Sequence, residues 1–307
     1  MAGIHPPPHD RRAHLLAIAS ALLVTILWSS SWVLIRLGLD DEDLAPLTFA
    51  GLRYGLAAIA LIVAVSAKRS RRQEIRRLDR RARVELVVLG VVFYALTQGA
   101  QFVAIDSQPA ATTSLVLSLT PLFVGIAGAR SLGERPTPRQ FAGSGLIVAG
   151  AVVYFAGDLG ATAIGLTAAI IGLAANVGGS LLGRTVNRTQ STSPIIVTTV
   201  SMSIGAALLV LAGLVVEGLP SITLRAGLII AWLAIVNTAF AFTLWNLSLR
   251  RLSAIESAGI NNTMLLQIAV LAWWFLDESP GWIGLVGVAV VSAGVFLTQL
   301  RRSPAPT

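Results

Sequence analysis

Two sets of side chains in this sequence combine the spacing of a helical face with the chemistry of a ligand-binding surface. The sets lie 144 residues apart and consist of Tyr94, Gln98 and Gln101, then Thr238, Phe242 and Trp245. Residues at i, i+4 and i+7 share one face of an α-helix. Amides and hydroxyls can orient the polar head of a ligand, and aromatic rings can hold an apolar body or a cationic amine. We predict that both sets line one substrate cavity, with packing between helices as the alternative interpretation.

Four more residues are predicted to join this cavity. An offset of 148 residues, which applies earlier in the chain, matches Trp28 with Asn176. Asn176 shares a helical face with three glycines, Gly172, Gly179 and Gly183. Close packing explains the glycines but not an amide among them, and a broken helix is an alternative. Thr263 and Gln267 share a face of a later helix and complete the predicted substrate-binding set.

The sequence lacks the side chains that most intramembrane enzymes need. It has no cysteine, and its three histidines, His5, His9 and His14, all precede or begin the first apolar stretch. No H-E-x-x-H motif occurs. We therefore expect no catalytic residue, no bound metal and no cofactor, and an intramembrane enzyme is disfavoured.

Few ionisable residues lie within the apolar segments, where a charge is costly. Arg53 lies about two turns into its predicted helix. Its long side chain is predicted to reach the headgroups or an acidic loop residue such as Asp43. Glu256 is predicted to pair with Arg250 and Arg251. Neither position is therefore included in the predicted binding set.

The residues of both sets lie in segments that are predicted to be membrane helices. The composition is 55% hydrophobic and 12% charged, with a mean hydropathy of +0.76, far from that of a soluble protein. Ten apolar stretches are long enough to cross a hydrocarbon core of roughly 30 Å. They are approximately 15–37, 46–67, 84–104, 111–129, 140–157, 161–183, 194–216, 226–248, 255–276 and 281–299.

The placement of the charges predicts the orientation of these helices. With ten spans and the N-terminus inside, 20 of the 23 Lys and Arg residues fall on the inner side, including the basic run 68–83. The other side carries acidic residues, among them those at 40–43. This is the positive-inside bias, and it predicts that both termini are cytoplasmic. The net charge of +8 therefore implies no nucleic-acid partner, because the basic run can lie against anionic lipid.

The second half of the chain is a degenerate copy of the first. Glu134 recurs as Glu278 at the same offset of 144, and the identities around it are Leu132, Pro136, Gly143, Ala149 and Gly150, which reappear as Leu276, Pro280, Gly287, Ala293 and Gly294. Each copy holds five predicted spans, an odd number, so the second copy is inverted in the membrane. Inverted repeats are typical of transporters. Both glutamates lie in short connections and are predicted to cap the helix that follows.

The predicted fold is an all-α membrane protein with ten transmembrane helices in two inverted five-helix repeats. The first repeat covers 14–157 and contains a basic cytoplasmic loop at 68–83, and the second covers 161–300. Cytoplasmic tails at 1–13 and 301–307 flank the two repeats.

The stretch from Ala95 to Gly150 resembles the EamA repeat of the drug/metabolite transporter superfamily. The motifs that carry the resemblance are Pro109-Ala110-Ala111, Ser118-Leu119-Thr120-Pro121 and Leu132-Gly133-Glu134. The start of the chain is similar as well, with Leu27 to Trp32 followed by Pro46, Phe49, Arg53 and Ala57. The second copy departs from the pattern with Leu265 for Pro121 and Asp277 for Gly133. The resemblance implies a ten-helix basket, a central cavity, alternating access and export of small metabolites, amino acids among them.

The predicted lining suits a ligand with an apolar body and a neutral or zwitterionic head. It does not suit sugar phosphates, which need several convergent cations, and the first span lacks the buried carboxylate of a small multidrug antiporter. We therefore predict a monomeric, multi-pass carrier of the bacterial inner membrane whose partners are a small-molecule substrate and the lipid bilayer. It would export amino acids, including aromatic and large neutral ones, by facilitated alternating access. Proton-coupled drug or metabolite antiport and a channel-like pore are the alternatives.

Overall fold

The computed structural model describes residues 8–120, 122–124, 126–127, 138–156, 160–188, 192–249, 252, 254–278 and 281–299. All elements in these ranges are helical. The helices are α1 Pro8–Asp40, α2 Pro46–Ser66, α3 Arg69–Arg76, α4 Arg80–Leu89, α5 Thr97–Ser107, α6 Ala110–Ser118, α7 Pro138–Ala156, α8 Ala163–Arg188, α9 Pro194–Val216, α10 Leu224–Ala234, α11 Ala241–Leu249, α12 Ala254–Leu276 and α13 Gly281–Gln299. Two π-helical turns, Gly90–Leu96 and Ile235–Phe240, join α4 to α5 and α10 to α11.

The helices have the length and surface of a membrane bundle. Five are long and apolar enough to cross a membrane, and five shorter apolar helices have 10–17 residues. Large apolar side chains cover the outside of the bundle, where Val215, Trp274 and Trp282 are 76%, 76% and 78% exposed. Such side chains are stable against lipid tails, and helices satisfy their own backbone hydrogen bonds there. The all-helical prediction is confirmed, whereas the number of spans stays a prediction.

The basic run predicted as a loop, 68–83, is largely helical. It contains α3 and the first turn of α4. Asp79 begins α4, because its side chain accepts a hydrogen bond from the backbone N–H of Ala82 at 2.8 Å. Leu78 is buried between the two helices. At the end of the bundle that carries this run, Glu74 of α3 accepts hydrogen bonds from the backbone N–H of Ser193 and from its hydroxyl, the latter at 3.0 Å.

The glycines that recur between the two copies bring α7 and α13 together. A Cβ atom added at Gly150 would lie 2.6 Å from the backbone nitrogen of Val291, and one added at Gly294 would lie 2.7 Å from the carbonyl oxygen of Gly143. Backbone atoms cannot move aside as a side chain can. These repeated residues therefore serve close packing between the two copies.

The end of the bundle that carries residues 40–43, which we call the acidic end, is tied together across the two copies. Glu217 accepts hydrogen bonds from the backbone N–H groups of Leu47 at 2.9 Å and Thr48 at 2.7 Å, at the start of α2. Glu278 does the same for Ala110 at 3.1 Å and Ala111 at 3.3 Å, at the start of α6. A carboxylate is favourable at these N-termini, where backbone donors are unpaired. Two carboxylates of the second copy thus cap two helices of the first.

Glu278 caps a helix, as predicted, but the predicted helix is wrong. The carboxylate caps α6 and not the helix that follows Glu278 in the sequence. The reason is the turn that ends α12. Asp277 has a left-handed backbone with φ of 54°, and the N–H of Glu278 returns to the carbonyl of Ala272 at 3.3 Å. The chain therefore turns back towards α6. Glu134, the equivalent residue of the first copy, lies outside the described residues, as do Arg250, Arg251 and the side chain of Glu256.

Arginines add further links at the acidic end. Arg36 of α1 pairs with Asp40 at 2.7 Å and donates to the carbonyl oxygen of Asp106 at 3.0 Å, in the last turn of α5. A cation is favourable there because helix carbonyls are unpaired at a C-terminus. Arg225, at the start of α10, pairs with Asp41 at 2.9 Å. These contacts join α1, α5 and α10 at one end of the bundle.

Candidate functional site

The two π-helical turns occupy equivalent positions in the two copies. Adding 144 to the range of Gly90–Leu96 gives 234–240, and the second turn is Ile235–Phe240. Near each turn a threonine hydroxyl, of Thr97 or Thr238, donates to the carbonyl five residues earlier, at 2.9 and 2.8 Å. π-Helical turns are rare and are frequent at functional sites. They fall on the two helices that carry the predicted polar and aromatic sets.

Tyr54 of α2 brings together two members of the first set. Its hydroxyl donates to the side-chain carbonyl of Gln98 at 2.5 Å, and its ring centroid lies 6.2 Å from that of Tyr94. Tyr94 is buried and Gln98 is partly buried. Gln101 is also partly buried, but it makes no hydrogen bond within the described ranges. Tyr94 and Gln98 therefore form one cluster with Tyr54, and no described hydrogen bond joins Gln101 to it.

Arg53 of α2 is buried beside this cluster. Its exposed fraction is 4%, its Nε donates to the Thr238 hydroxyl at 3.2 Å, and its guanidinium lies 5.2 Å from the centroid of the Tyr54 ring. The prediction that this side chain reaches the headgroups or Asp43 is wrong. Arg53 shares its helical face with Phe49 and Ala57, which are both 0% exposed. That face of α2 points into the bundle, so the long side chain cannot reach its surface.

The contact between Arg53 and Thr238 has a neutral counterpart. The offset of 148 takes Arg53 to Ser201, and the offset of 144 takes Tyr94 to Thr238. The Tyr94 hydroxyl interacts with Ser201 and with Thr198. Arg53 and Thr238 therefore interact at the positions equivalent to Ser201 and Tyr94. The first pair contains a cation and the second does not.

Trp28 of α1 lies against the two aromatic members of the second set. Its ring centroid is 5.1 Å from that of Phe242 and 5.3 Å from that of Trp245, with both pairs tilted. Such tilted pairs are favourable aromatic contacts. The indole Nε1 of Trp28 is buried and has no partner in the described part of the chain. The aromatic cluster therefore contains one donor that a ligand could satisfy.

Gln267 of α12 and Thr263 form a hydrogen-bonded contact with α1. The Gln267 side chain accepts from Ser29 at 2.9 Å, and it donates to Thr25 at 3.2 Å and to Thr263 at 2.9 Å. These bonds use both N–H groups and the carbonyl of the amide. The arrangement favours the packing interpretation for this pair, although both residues remain candidates.

Asn176 of α8 donates to the hydroxyl of Thr120, just beyond α6, at 3.2 Å. The structure therefore joins Asn176 to the α6 region and not to Trp28. Helix α8 is continuous over Ala163–Arg188, so the broken helix considered for this segment is not present. Its Gly179 faces Phe93, where an added Cβ would lie 2.9 Å from the Phe93 Cβ. The glycines of α8 thus allow close packing against the first π-helical turn.

Asn237 is a buried polar residue that the sequence pattern does not single out. It is 0% exposed; its amide donates to the carbonyl of Leu27 and, at 3.2 Å, to the hydroxyl of Ser30. Its side-chain oxygen has no partner within the described residues. No periodic signal marks it, because it precedes Thr238 on a different face of the helix.

The chemistry available at this site is non-covalent binding. The Gln98 amide, the Tyr94 ring and one guanidinium lie against Tyr54, and two aromatic rings lie against Trp28. Across the described ranges, no group of three or more His, Asp or Glu side chains could hold a metal ion. The arrangement can orient a small molecule through hydrogen bonds and hold its apolar part against aromatic faces.

A family comparison decides what kind of protein presents this site. The model of the EamA-like transporter family matches the sequence twice, over residues 15–156 and 161–300. The chain belongs to the EamA-like transporter family. The resemblance seen in its motifs is therefore confirmed for both halves of this EamA-like transporter.

Curated relatives and a solved structure agree with this assignment. A probable terminal-alkyne amino-acid exporter of Streptantibioticus cattleyicolor is 29% identical over 93% of this chain and 94% of its own. A probable amino-acid metabolite efflux pump of Escherichia coli is 27% identical over 90% of this chain and 92% of its own. The chain is also similar to a protein of known crystal structure, with 20% sequence identity and a TM-score of 0.64. The match covers 91% of this chain and 96% of the other. At this level of identity the match supports the fold alone.

The family and these relatives identify a membrane transporter of small metabolites rather than an enzyme. The apolar helices agree with a multi-pass protein of the inner membrane. The predictions of transporter class and membrane location are confirmed, whereas the substrate and the binding residues are not tested by them.

Proposed function

We propose that this EamA-like transporter exports small neutral or zwitterionic metabolites, chiefly amino acids and among them aromatic and large neutral ones. The observation that carries the proposal is a polar cluster around Tyr54 and an aromatic cluster around Trp28, each beside a π-helical turn. Arg53 links them, because it bonds Thr238 one turn before Phe242. The names of the two curated relatives support the same substrate class. A site with one buried guanidinium suits these ligands better than multiply charged phosphates.

The proposed carrier has ten transmembrane helices in two inverted repeats, 14–157 and 161–300. Both tails, 1–13 and 301–307, lie in the cytoplasm, and the acidic end of the bundle faces outward. The protein acts as a monomer. It alternates between inward-open and outward-open states around a site near the midplane, and the substrate gradient drives transport. The caps that Glu217 and Glu278 form would then close contacts on the outer side.

The proposed binding residues come from five of the spans. They are Trp28, Tyr94, Gln98, Gln101, Asn176, Thr238, Phe242, Trp245, Thr263 and Gln267. Tyr54 and Arg53 join them because they contact Gln98, Tyr94 or Thr238 directly.

The proposal is tested by uptake of a panel of labelled amino acids into proteoliposomes that contain the purified protein. Gln98→Ala, Trp245→Ala and Asn176→Ala should each lower uptake without loss of protein from the membrane. Gln73→Ala and Trp274→Ala are matched controls, because both side chains are exposed and neither belongs to the proposed binding set. Full activity of all three site variants would remove the proposed site, and no uptake of any amino acid by the unaltered protein would remove the proposed substrate class.

Proton coupling is the alternative mechanism, and an imposed pH gradient separates the two. With the membrane potential clamped, a facilitative carrier should give equal initial rates with and without the gradient. A rate that follows the pH gradient would establish antiport instead.

A further inference from the structure

A guanidinium that has no counter-charge among the described residues lies against Thr238 and Tyr54 of the candidate site. Arg53 is 4% exposed, and no carboxylate of the described residues forms an ion pair with it. By contrast, Arg36 and Arg225 are more exposed and pair with Asp40 and Asp41 at 2.7 and 2.9 Å. A charge removed from water is costly unless it is paired. The buried arginine therefore needs a counter-charge that the described protein does not supply.

The groups around Arg53 interact with it but do not neutralise it. The Tyr54 ring lies 5.2 Å from the guanidinium carbon. The Tyr54 hydroxyl donates to Gln98 at 2.5 Å, so it keeps its proton and remains neutral. The terminal amino groups of Arg53 and the amide nitrogen of Gln98 make no hydrogen bond to described residues. All of these unused groups are donors. Because one of them is a cation, an anionic acceptor is the most favourable partner for this part of the site.

We propose that Arg53 binds the carboxylate of the transported substrate, with the Gln98 amide as a second donor. The inference rests on the proposed carrier function and names the substrate group that the site must recognise. Guanidinium groups match carboxylates in geometry and form strong, charge-assisted hydrogen bonds with them. The substrate class is then amino acids and other compact monocarboxylates. Neutral amides and esters of the same shape are poor ligands, because they leave the buried cation unpaired.

The rest of the site sets the size of the ligand. Thr238, the hydrogen-bond partner of Arg53, lies one turn from Phe242 and two turns from Trp245. Seven residues of helix correspond to about 10 Å. A ligand whose carboxylate meets Arg53 would direct its apolar body along this helix towards Phe242, which lies against Trp28. An amino acid with a phenyl side chain is long enough to cover the first of these turns.

The experiment measures binding to the purified full-length protein in detergent, because binding can be scored whether or not a ligand is transported. The probes are L-phenylalanine, L-phenylalaninamide, which lacks the carboxylate, and 3-phenylpropionate, which lacks the amine. Both carboxylates should bind the unaltered protein on the order of ten- to hundredfold more tightly than the amide, as expected for hydrogen bonds to a charged group. This comparison needs no variant, so it stands even if a substitution prevents folding.

Variants test whether Arg53 is the group responsible. Arg53→Gln should weaken both carboxylates by the same ten- to hundredfold factor and leave the amide unchanged. Arg53→Lys keeps the charge, so its affinity for the two carboxylates should lie between that of the unaltered protein and that of Arg53→Gln. The matched control is Arg81→Gln, which removes an exposed cation that pairs with Glu85 far from the site. A structural role for Arg53 would instead lower binding of all three probes together.

Two results would overturn the proposal while the carrier function stands. One is that the unaltered protein binds the two carboxylates and the amide with equal affinity. The other is that Arg53→Gln lowers the affinity for all three probes by the same factor. If a different amino acid is the one transported, the same series is made from it, its amide and its deaminated acid. If the unaltered protein transports no amino acid, the proposed function fails. Binding of 3-phenylpropionate that requires Arg53 would then still support the carboxylate site, and its absence would overturn it.

Discussion

Arg53 and Thr238 join α2 to the second π-helical turn through a hydrogen bond of 3.2 Å. The symmetry-related positions, Ser201 and Tyr94, also meet, but both are neutral. The scaffold therefore repeats and the charge does not. A carrier built from two copies can use the common contact to position its helices and the single cation to recognise its ligand.

The hydroxyl of Thr238 should contribute more to transport and stability than the volume of its side chain. In Thr238→Val the side chain keeps its volume, but Arg53 Nε loses its described partner, which costs about 1.5 to 3 kcal/mol. We expect roughly tenfold slower transport and a lower melting temperature. Thr238→Ser keeps the hydroxyl and should restore both. Equal activity of the Val and Ser variants would contradict the role assigned to this bond, with initial rates in proteoliposomes as the measurement.

The indole nitrogen of Trp28 is expected to bind substrate. Trp28→Phe keeps an aromatic ring against Phe242 and Trp245 and removes Nε1, which is buried without a partner in the described chain. Substrate affinity should fall about three- to tenfold, as for a single lost hydrogen bond. Trp274→Phe, at an exposed position, is the control and should bind normally. Unchanged affinity in Trp28→Phe would assign Trp28 to packing alone.

The repeated glycines should tolerate no side chain where α7 and α13 meet. Gly150→Ala places a methyl group 2.6 Å from the backbone nitrogen of Val291, and overpacking of this kind costs about 1 to 3 kcal/mol. Gly145, on the same helix, has no atom within 4 Å of an added Cβ. Gly145→Ala should therefore be neutral or stabilising, because Ala favours a helix. Melting temperatures in detergent measure the difference, and equal values would contradict the close approach.

Glu278 should stabilise the acidic end through its two hydrogen bonds to α6. Glu278→Ala removes both acceptors, and loss of a helix cap costs about 0.5 to 2 kcal/mol. Glu278→Gln keeps one acceptor oxygen and should lose less stability. Melting temperatures should rank the unaltered protein first, Gln second and Ala last. An Ala variant as stable as the unaltered protein would show that the cap contributes nothing.

The same residue predicts a pH dependence. Burial raises the pKa of Glu278 above its ordinary value of 4.5, and the N–H groups of Ala110 and Ala111 offset part of the rise. The folded protein therefore takes up this proton at higher pH than the unfolded chain. The free energy of unfolding should fall as pH rises through the interval between the two pKa values. Glu278→Gln lacks the group, so an identical pH profile of the variant and the unaltered protein would contradict the shift.

Much of the fold could be predicted from the sequence, because the bilayer imposes a simple rule on apolar segments. The repeat offsets also predicted that Tyr94 and Thr238 are equivalent, and they lie on equivalent π-helical turns. The helical structure of the basic run 68–83 could not be predicted in the same way. Its helix α3 depends on the burial of Leu78 and on the carboxylate of Glu74 at Ser193, which are contacts between distant parts of the chain.

The site was predicted less completely. The spacing of Phe242 and Trp245 placed them on one face, and the structure gives them a common partner in Trp28. For Arg53 the sequence predicts a surface position, because a long cationic side chain often reaches water from near a helix end. Its burial depends on which face of α2 packs inward, and an almost entirely apolar helix has no polar face to indicate this. Tyr54 was missed for the same reason.

A carrier that binds an amino acid and alternates its access to the two sides exchanges labelled for unlabelled substrate. Counterflow measures this exchange, with proteoliposomes preloaded with unlabelled L-phenylalanine and diluted into a trace of the labelled compound. A carrier should give a transient, saturable accumulation of label above equilibrium, reduced in Gln98→Ala and Trp245→Ala and unchanged in Gln73→Ala. A flux that does not saturate and never exceeds equilibrium would indicate a pore and would contradict a carrier mechanism.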